Sequence, residues 1–128
     1  MLVAGTLLFA VGSAAGQSCR FSNPLPGGIL FSPALDPSIA STRTASTEMR
    51  VLCLFASPAW TFSGSHGSAP LRMRHATLNA FIPYTVAQTF VSGAVVQRWR
   101  VTATVLGADY QNAPVGSYSD VLTATILP

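Results

Sequence analysis

Few side chains in this 128-residue chain could do acid–base or metal chemistry. The two histidines, His66 and His75, have no acidic residue between them. The four carboxylates are Asp36, Glu48, Asp109 and Asp120. A metal site needs more donor groups than this histidine region offers. We therefore predict no metal ion and no cofactor.

Catalytic arrangements of serine or paired carboxylates are also poorly supported. A nucleophile elbow requires Gly-x-Ser-x-Gly, and Ser63-Gly64-Ser65-His66-Gly67 has the wrong order. A glycosidase needs two carboxylates across a cleft. Asp109 and Asp120 flank the 111–117 loop and could approach each other, but capping of backbone N–H groups is the commoner role for such residues. We predict that the protein is not an enzyme.

Arginine alone supplies the positive charge, and the formal net charge is +3. The absence of lysine excludes a Walker-type phosphate lysine and a lysine Schiff base. A nucleic-acid binder normally gathers its basic residues in one patch, whereas the arginines here are spread along the chain, so we predict no nucleic-acid partner. Arg72-x-Arg74 beside His75 could bind an anion, and a solvated strand edge is the alternative. The arginines stand at positions 20, 43, 50, 72, 74, 98 and 100.

Residues 1–16 are predicted to be the remnant of a secretory signal peptide. The apolar run Leu2–Val11 is too short to cross a bilayer, which needs about 20 apolar residues, and it has the length of a signal-peptide core. Small residues follow, and cleavage after Ala15 or Gly16 satisfies the small-x-small rule. The basic residue that normally opens such a signal is missing. A retained N-terminal strand or short anchor is therefore the alternative.

The two cysteines, Cys19 and Cys53, favour an exported domain, in which an even set of cysteines is commonly paired. We expect them to form a disulfide. Two buried free thiols in a cytosolic protein are the alternative. A zinc site is disfavoured because no second cysteine pair or neighbouring histidine completes four ligands.

The body of the chain, residues 17–128, shows strand periodicity and no sustained helical period. Three segments alternate most clearly: Glu48–Phe55, Trp99–Val105 and Tyr118–Ile126. Glycine and proline separate the candidate strands. Many short strands at this spacing indicate a β-sandwich or barrel. The segment Ser38–Thr47, rich in Ser, Thr and Ala, is predicted to be a flexible connection.

Shorter strand candidates and the buried aromatic residues complete this prediction. Four short runs have strand composition. They are Ile29–Phe31, Trp60–Phe62, Leu71–Met73 and Tyr84–Val86. Trp60 and Trp99 are expected in the core, with a sugar platform as the alternative.

The C-terminal sequence Pro114–Asp120, continuing into Val121–Ile126, resembles the closing motif of the spore coat protein U domain, a family that includes subunits of archaic chaperone–usher pili. The resemblance covers residues 19–128, because further elements occur in the expected order. The motif residues are Arg72, Met73, Pro83, Tyr84, Gly116, Tyr118 and Asp120, with Cys19 and Cys53 at the expected places. The family's usual Trp-Gly element after Tyr84 is absent.

The resemblance implies an all-β, immunoglobulin-like sandwich that lacks one strand. It implies a non-enzymatic subunit of a pilus or surface fibre, exported through the periplasm to the cell surface. The partners would be a periplasmic chaperone, an outer-membrane usher, neighbouring subunits and, at the fibre's target, a host or abiotic surface. The open groove would bind a donated strand. The candidate groove and core residues are Val51, Trp99, Val101, Leu122 and Ile126.

Two questions stay open at this stage. Cleavage at Ala15 or Gly16 would leave too few residues before Cys19 to donate a strand, so the subunit would accept a strand and donate none. The other alternative is that part of Leu2–Val11 remains on the protein and is the donated strand. The alternative function is a secreted carbohydrate-binding or adhesive module that uses Trp60, His66 and the 63–68 loop.

Overall fold

The computed structural model describes residues 3–13, 19–22, 28–31, 34–39, 41–53, 58–67 and 70–127. These residues form nine strands and one short helix. In chain order they are β1 (Val3–Ser13), β2 (Cys19–Ser22), β3 (Ile29–Leu30), β4 (Arg43–Cys53), β5 (Ala59–Gly64), β6 (Leu71–His75), β7 (Phe81–Ser92), β8 (Val96–Val105), α1 (Gly107–Tyr110) and β9 (Gly116–Leu127). Within these ranges no helix has the length and apolar character needed to traverse a bilayer.

The strands form one mixed sheet that curves until it is nearly closed into a barrel. Its order is β2-β4-β8-β7-β6-β9-β1-β3, and β5 pairs with β9 beside this path. Strand β7 makes the curve continuous because its first residues pair with β6 and its residues from Thr85 onward pair with β8. An unpaired seam separates the end strands β2 and β3. The prediction of an all-β fold is confirmed at this level.

The alternating side chains of the strands produce one large core and a smaller one at the disulfide end. On β4, Met49, Val51 and Cys53 are buried while Glu48 and Arg50 are exposed, as the period-two pattern predicts. The predicted alternation of β8 and β9 is likewise seen in their buried faces. Phe55, which was expected to continue the β4 face, lies outside the described residues.

The prediction that Ser38–Thr47 is a flexible connection is wrong for the second half of the segment. Residues 41 and 42 precede β4. From Arg43 onward the Ser38–Thr47 segment belongs to β4, which pairs with β8 beginning at Arg43↔Val105. The Ser, Thr and Ala composition reflects an exposed strand surface, since Thr44 opposite Thr104 and Ser46 opposite Thr102 face outward. Ser38 and Ile39, at the start of that segment, lie in a turn in which Asp36 accepts bonds from the Ser38 N–H and hydroxyl.

Candidate functional site

The most distinctive feature of the sheet is the slot beside β9 that is filled by β1. We call this space the β1 slot. Eleven residues of β1 run parallel to β9, from Val3↔Gly116 to Ser13↔Ile126. On its other edge β1 pairs antiparallel with β3 at Thr6↔Leu30. The N-terminal segment therefore forms an inner strand of the sheet.

Alternate residues of β1 enter the core. Val3 and Leu7 are fully buried, Gly5 is buried between them, and Leu8 on the opposite face is half exposed. A Cβ atom at Gly5 would lie 3.1 Å from a ring carbon of Phe31 and 3.5 Å from Met73, so the lack of a side chain lets β1 approach the core closely. The 3, 5, 7 spacing was the signal that could have assigned these residues to a strand from sequence.

The strand that borders the β1 slot is β9, and alternate side chains of β9 point into the core. Tyr118, Leu122, Ala124 and Ile126 are all buried there, and Asp120 lies among them. Of the predicted groove and core residues, Leu122 and Ile126 lie next to the slot in register with Phe9 and Ser13. The alternation on β1 and β9 thus combines two strands from opposite ends of the sequence into one core surface.

The other predicted groove residues belong to strands away from the slot. Val51 on β4 and Val101 on β8 are fully buried. Trp99 is half-buried, and its ring centroid lies 5.6 Å from that of Trp60. Trp60 also packs against Phe21, at 5.7 Å, within the smaller core. Both tryptophans therefore contribute to the interior.

The arrangement of the β5–β6 loop bears on the alternative sugar platform. Trp60 is the second residue of β5 and His66 lies two residues beyond its end, so about 13 Å of strand separate Trp60 from Gly64 alone. The Trp60 ring packs against Phe21 and Trp99, whereas the His66 ring packs against Phe81.

Asp120 is the buried centre of a polar cluster on the opposite edge of β9. Its carboxylate accepts the Tyr84 hydroxyl at 2.6 Å, and the Ser65 backbone N–H and hydroxyl at 3.0 and 2.5 Å. The His66 Nδ1 lies 3.1 Å away. A Cβ atom at Gly64 would lie 2.6 Å from this carboxylate, so glycine allows the loop to close over it. The expected role of Asp120 in binding a backbone N–H is thus seen, with the partner in a distant loop.

This cluster contains serine, histidine and aspartate, but they are not arranged as a Ser-His-Asp triad. The Ser65 hydroxyl donates to Asp120, and the Ser65 Oγ and an Asp120 oxygen lie 3.4 and 3.1 Å from the same ring nitrogen, His66 Nδ1, whereas a triad uses opposite ring nitrogens. Burial and the hydrogen bond to the Asp120 carboxylate raise the pKa of Tyr84 above its usual value of 10. Tyr84 therefore stays a neutral donor, and the cluster cross-links β7, β9 and the β5–β6 loop.

The remaining motif residues position the neighbouring strands. Met73 is fully buried, and Arg72 lies opposite Pro83 in the β6–β7 ladder. The Arg72 guanidinium is 4.3 Å from the Phe81 ring centroid and donates to the His66 carbonyl, so it holds the loop over Asp120. Arg72 and Arg74 are on the exposed face of β6, so they are solvated, but β6 pairs with β7 on one side and β9 on the other and is not the strand edge that was expected.

His75 anchors the start of β9. Its Nδ1 accepts the backbone N–H groups of Thr77 and Leu78 at 3.1 and 3.0 Å, which leaves the proton on Nε2 to donate to the Val115 carbonyl at 2.9 Å. Gly116 has a φ of +138°, and a Cβ atom there would lie 2.3 Å from the His75 ring. Gly116 is therefore required where β9 begins.

The predicted disulfide between Cys19 and Cys53 is confirmed. The two residues face each other in the β2–β4 ladder, with Cα atoms 4.1 Å apart. Both cysteines are buried in the smaller core. The bond fixes the end strand β2 onto β4.

The described residues contain no group of three or more His, Cys, Asp or Glu side chains that could hold a metal ion. Asp109 is exposed on α1 while Asp120 is buried in its cluster, so these two carboxylates do not line a common cleft. No protein-family model and no curated protein matches the chain.

Proposed function

We propose that this protein is a non-enzymatic structural subunit of an extracellular pilus or surface fibre, in which a strand from another polypeptide occupies the β1 slot. One observation carries the proposal. The strand that completes the sheet beside β9 comes from the N-terminal segment whose composition is that of an export signal. A chain that begins after residue 16 lacks that strand.

The physical consequence of an empty slot supports this function. Without β1, the edge of β9 would present unpaired N–H and C=O groups along eleven residues. The core around Tyr118 and Leu122 would also lose Val3 and Leu7. An exposed apolar strand edge is an aggregation hazard. β-strand addition removes the hazard because the added strand supplies both main-chain hydrogen bonds and alternating side chains.

The proposed fold is the incomplete immunoglobulin-like sandwich that the resemblance implies. The protein would be exported through the periplasm, where a chaperone and an outer-membrane usher would handle it before neighbouring subunits complete the sheet. The Cys19–Cys53 disulfide supports an oxidising compartment. The chain also carries few charges, 9% of its residues, that could protect an open edge.

The test is a chain that starts at Gln17, compared with the full chain. We expect the shortened protein to aggregate or to lack a cooperative unfolding transition. A synthetic peptide of residues 3–13 should restore solubility and cooperative unfolding. A peptide with Leu7→Asp should fail, because position 7 faces the core. The matched control, a peptide with Leu8→Asp, should retain most of the rescue because position 8 is half exposed.

Copurification from the periplasm distinguishes a strand acceptor from an isolated domain. We expect a stoichiometric chaperone bound to the chain that starts at Gln17, and its release when the residue 3–13 peptide is added in excess. A shortened chain that is monomeric, and as stable as the full chain without any partner, would overturn the proposal.

A further inference from the structure

The β7–β8 hairpin ends in an exposed apolar tip, which we define as residues 90–96. Phe90, Val91, Val95 and Val96 expose between 36% and 51% of their surface. Strand β7 ends at Ser92 and β8 begins at Val96, so these side chains surround a short turn. Contiguous exposed apolar residues on a monomer mark interaction sites.

Two carbonyls of this turn are bonded within the protein. The Cys53 N–H donates to the Val95 carbonyl at 2.9 Å, and the Gln97 side-chain amide donates to the Ala94 carbonyl at 3.2 Å. The Trp99 indole N–H in turn donates to the Gln97 side-chain oxygen at 3.0 Å. These two carbonyls therefore keep a partner when water is removed, which is the condition for entering an apolar medium.

Three arginines lie directly behind the apolar tip. Arg98 faces Ser92 on β7 and Arg50 on β4, and Arg100 lies one row further along β8. The acidic residue among them is Glu48, which accepts bonds from Arg98 at 2.8 and 3.1 Å. Among the side chains that the structure describes on this exposed face, three positive charges and one negative charge sum to +2.

One pair among these arginines is unfavourable for the fold alone, whereas Arg100 lies opposite Glu48. Like charges directly opposite each other in a ladder are destabilising, and Arg50 is directly opposite Arg98. The Glu48 carboxylate offsets only part of this charge, and it holds the Arg98 guanidinium in place. An external anion would offset the remainder.

We propose that the apolar tip and the three arginines dock the protein on an anionic phospholipid surface. Val96 and Arg98 are two residues apart, so about 7 Å separate the apolar row from the first arginine row. This order places valines at the acyl boundary and guanidinium groups among the phosphates. Guanidinium groups bind phosphate through paired hydrogen bonds.

An acidic polysaccharide would bind the arginines and leave the apolar tip in water, so the exposed valines favour a lipid surface. The site is on β4, β7 and β8, away from the β1 slot, and it does not depend on assembly through donated strands.

The test is cosedimentation of the full chain with phosphatidylcholine vesicles, with and without phosphatidylglycerol. We expect binding only to the anionic vesicles. The double variant Arg50→Gln, Arg100→Gln should weaken it by about tenfold or more. These two arginines are chosen because the Arg98–Glu48 pair then stays intact. Val91→Ser with Val95→Ser should also weaken binding by about tenfold.

The matched controls are Arg74→Gln on β6 and Val115→Ser before β9, both exposed and distant from the tip in the sheet order. Both should bind as the unchanged chain does. The far-ultraviolet circular dichroism of every variant should be unchanged. Absence of binding to anionic vesicles would overturn the proposal. Equal vesicle binding by the chain with and without the valine substitutions would also overturn it. So would binding of an acidic polysaccharide that is weakened by the same arginine and valine substitutions, since either result indicates a charge site without lipid insertion.

Discussion

The two edges of β9 are occupied in different ways. On one edge, β5 and β6 belong to the body of the chain, and Ser65 exchanges backbone and side-chain bonds with Val121 and Asp120. On the other edge, β1 pairs in parallel, and no described side chain of residues 3–8 hydrogen-bonds to β9. Polar cross-links fix the first edge, whereas the ladder and apolar packing hold the second. A strand held in that way can be replaced by another of similar pattern.

The largest expected effect comes from Leu7→Asp in the full chain. A buried, unpaired carboxylate at this position should destabilise the protein by about 4 kcal/mol or more. Leu8→Asp on the exposed face of the same strand should cost less than about 1 kcal/mol. Urea unfolding of the refolded proteins, followed by circular dichroism, measures both. Equal costs would show that β1 is not seated with Leu7 inward.

Reduction of the disulfide tests whether a general loss of stability can be distinguished from the release of β1 alone. The bond closes a loop with a sequence separation of 34. Its loss should cost about 3–4 kcal/mol in the chain-entropy model. We expect dithiothreitol to lower the unfolding midpoint. The amides of β1 and those of β9 should then exchange faster by the same factor. Selective exposure of β1 on reduction would contradict this separation.

The cross-linked edge can be weakened by Asp120→Asn. Hydrogen bonds to a charged acceptor contribute about 1.5–3 kcal/mol, and the neutral amide replaces one acceptor oxygen with a donor. We expect a loss of about 2 kcal/mol in the free energy of unfolding. Asp109→Asn, an exposed control on α1, should change it by less than about 0.5 kcal/mol. A loss below that limit at position 120 would show that the carboxylate does not fix this edge.

Alkaline pH should produce the smallest change in the free energy of unfolding at the same edge, and that change should grow gradually with pH. Burial raises the pKa of Tyr84, with help from Asp120, and burial alone raises the pKa of Tyr118. The stability that these phenols contribute is complete below pH 10, where the unfolded tyrosines are also protonated. It declines above pH 10, by up to about 1.4 kcal/mol per pH unit for Tyr84, because the unfolded chain ionises there before the folded one, and Tyr118 contributes in the same direction.

The measurement is the free energy of unfolding in urea at pH 8, 10 and 11, with phenolate absorbance at 295 nm. Tyr84→Phe should reduce the alkaline decline. Ionisation of Tyr84 at pH 10 in the folded protein would contradict the role assigned to its bond with Asp120.

Several elements were predictable from the sequence because they depend on local pattern. Met49, Val51 and Cys53 share a buried face, as alternation requires. The disulfide followed from an even cysteine count. The Ser38–Thr47 prediction failed because composition does not distinguish a flexible segment from an exposed strand; pairing with β8 decides that.

The arginines show the same limit at longer range. Arg98 and Arg100 are two residues apart on β8, but Arg50 lies on β4, 48 residues earlier in the chain than Arg98. The β4–β8 register brings them onto one face. The two-residue period of a strand puts Arg98 and Arg100 on the same face, whereas only strand pairing brings Arg50 beside them.

The sequence by itself determined a β-rich chain with a disulfide and with alternating faces, because a strand places successive side chains on opposite sides of a sheet. Only the tertiary structure decided that residues 3–13 lie parallel to β9 and that Asp120 is covered by Ser65 and Tyr84. The physical reason is that these contacts join residues far apart in the chain. Their free energy comes from burial and from satisfied polar groups that exist only once the sheet has closed around them.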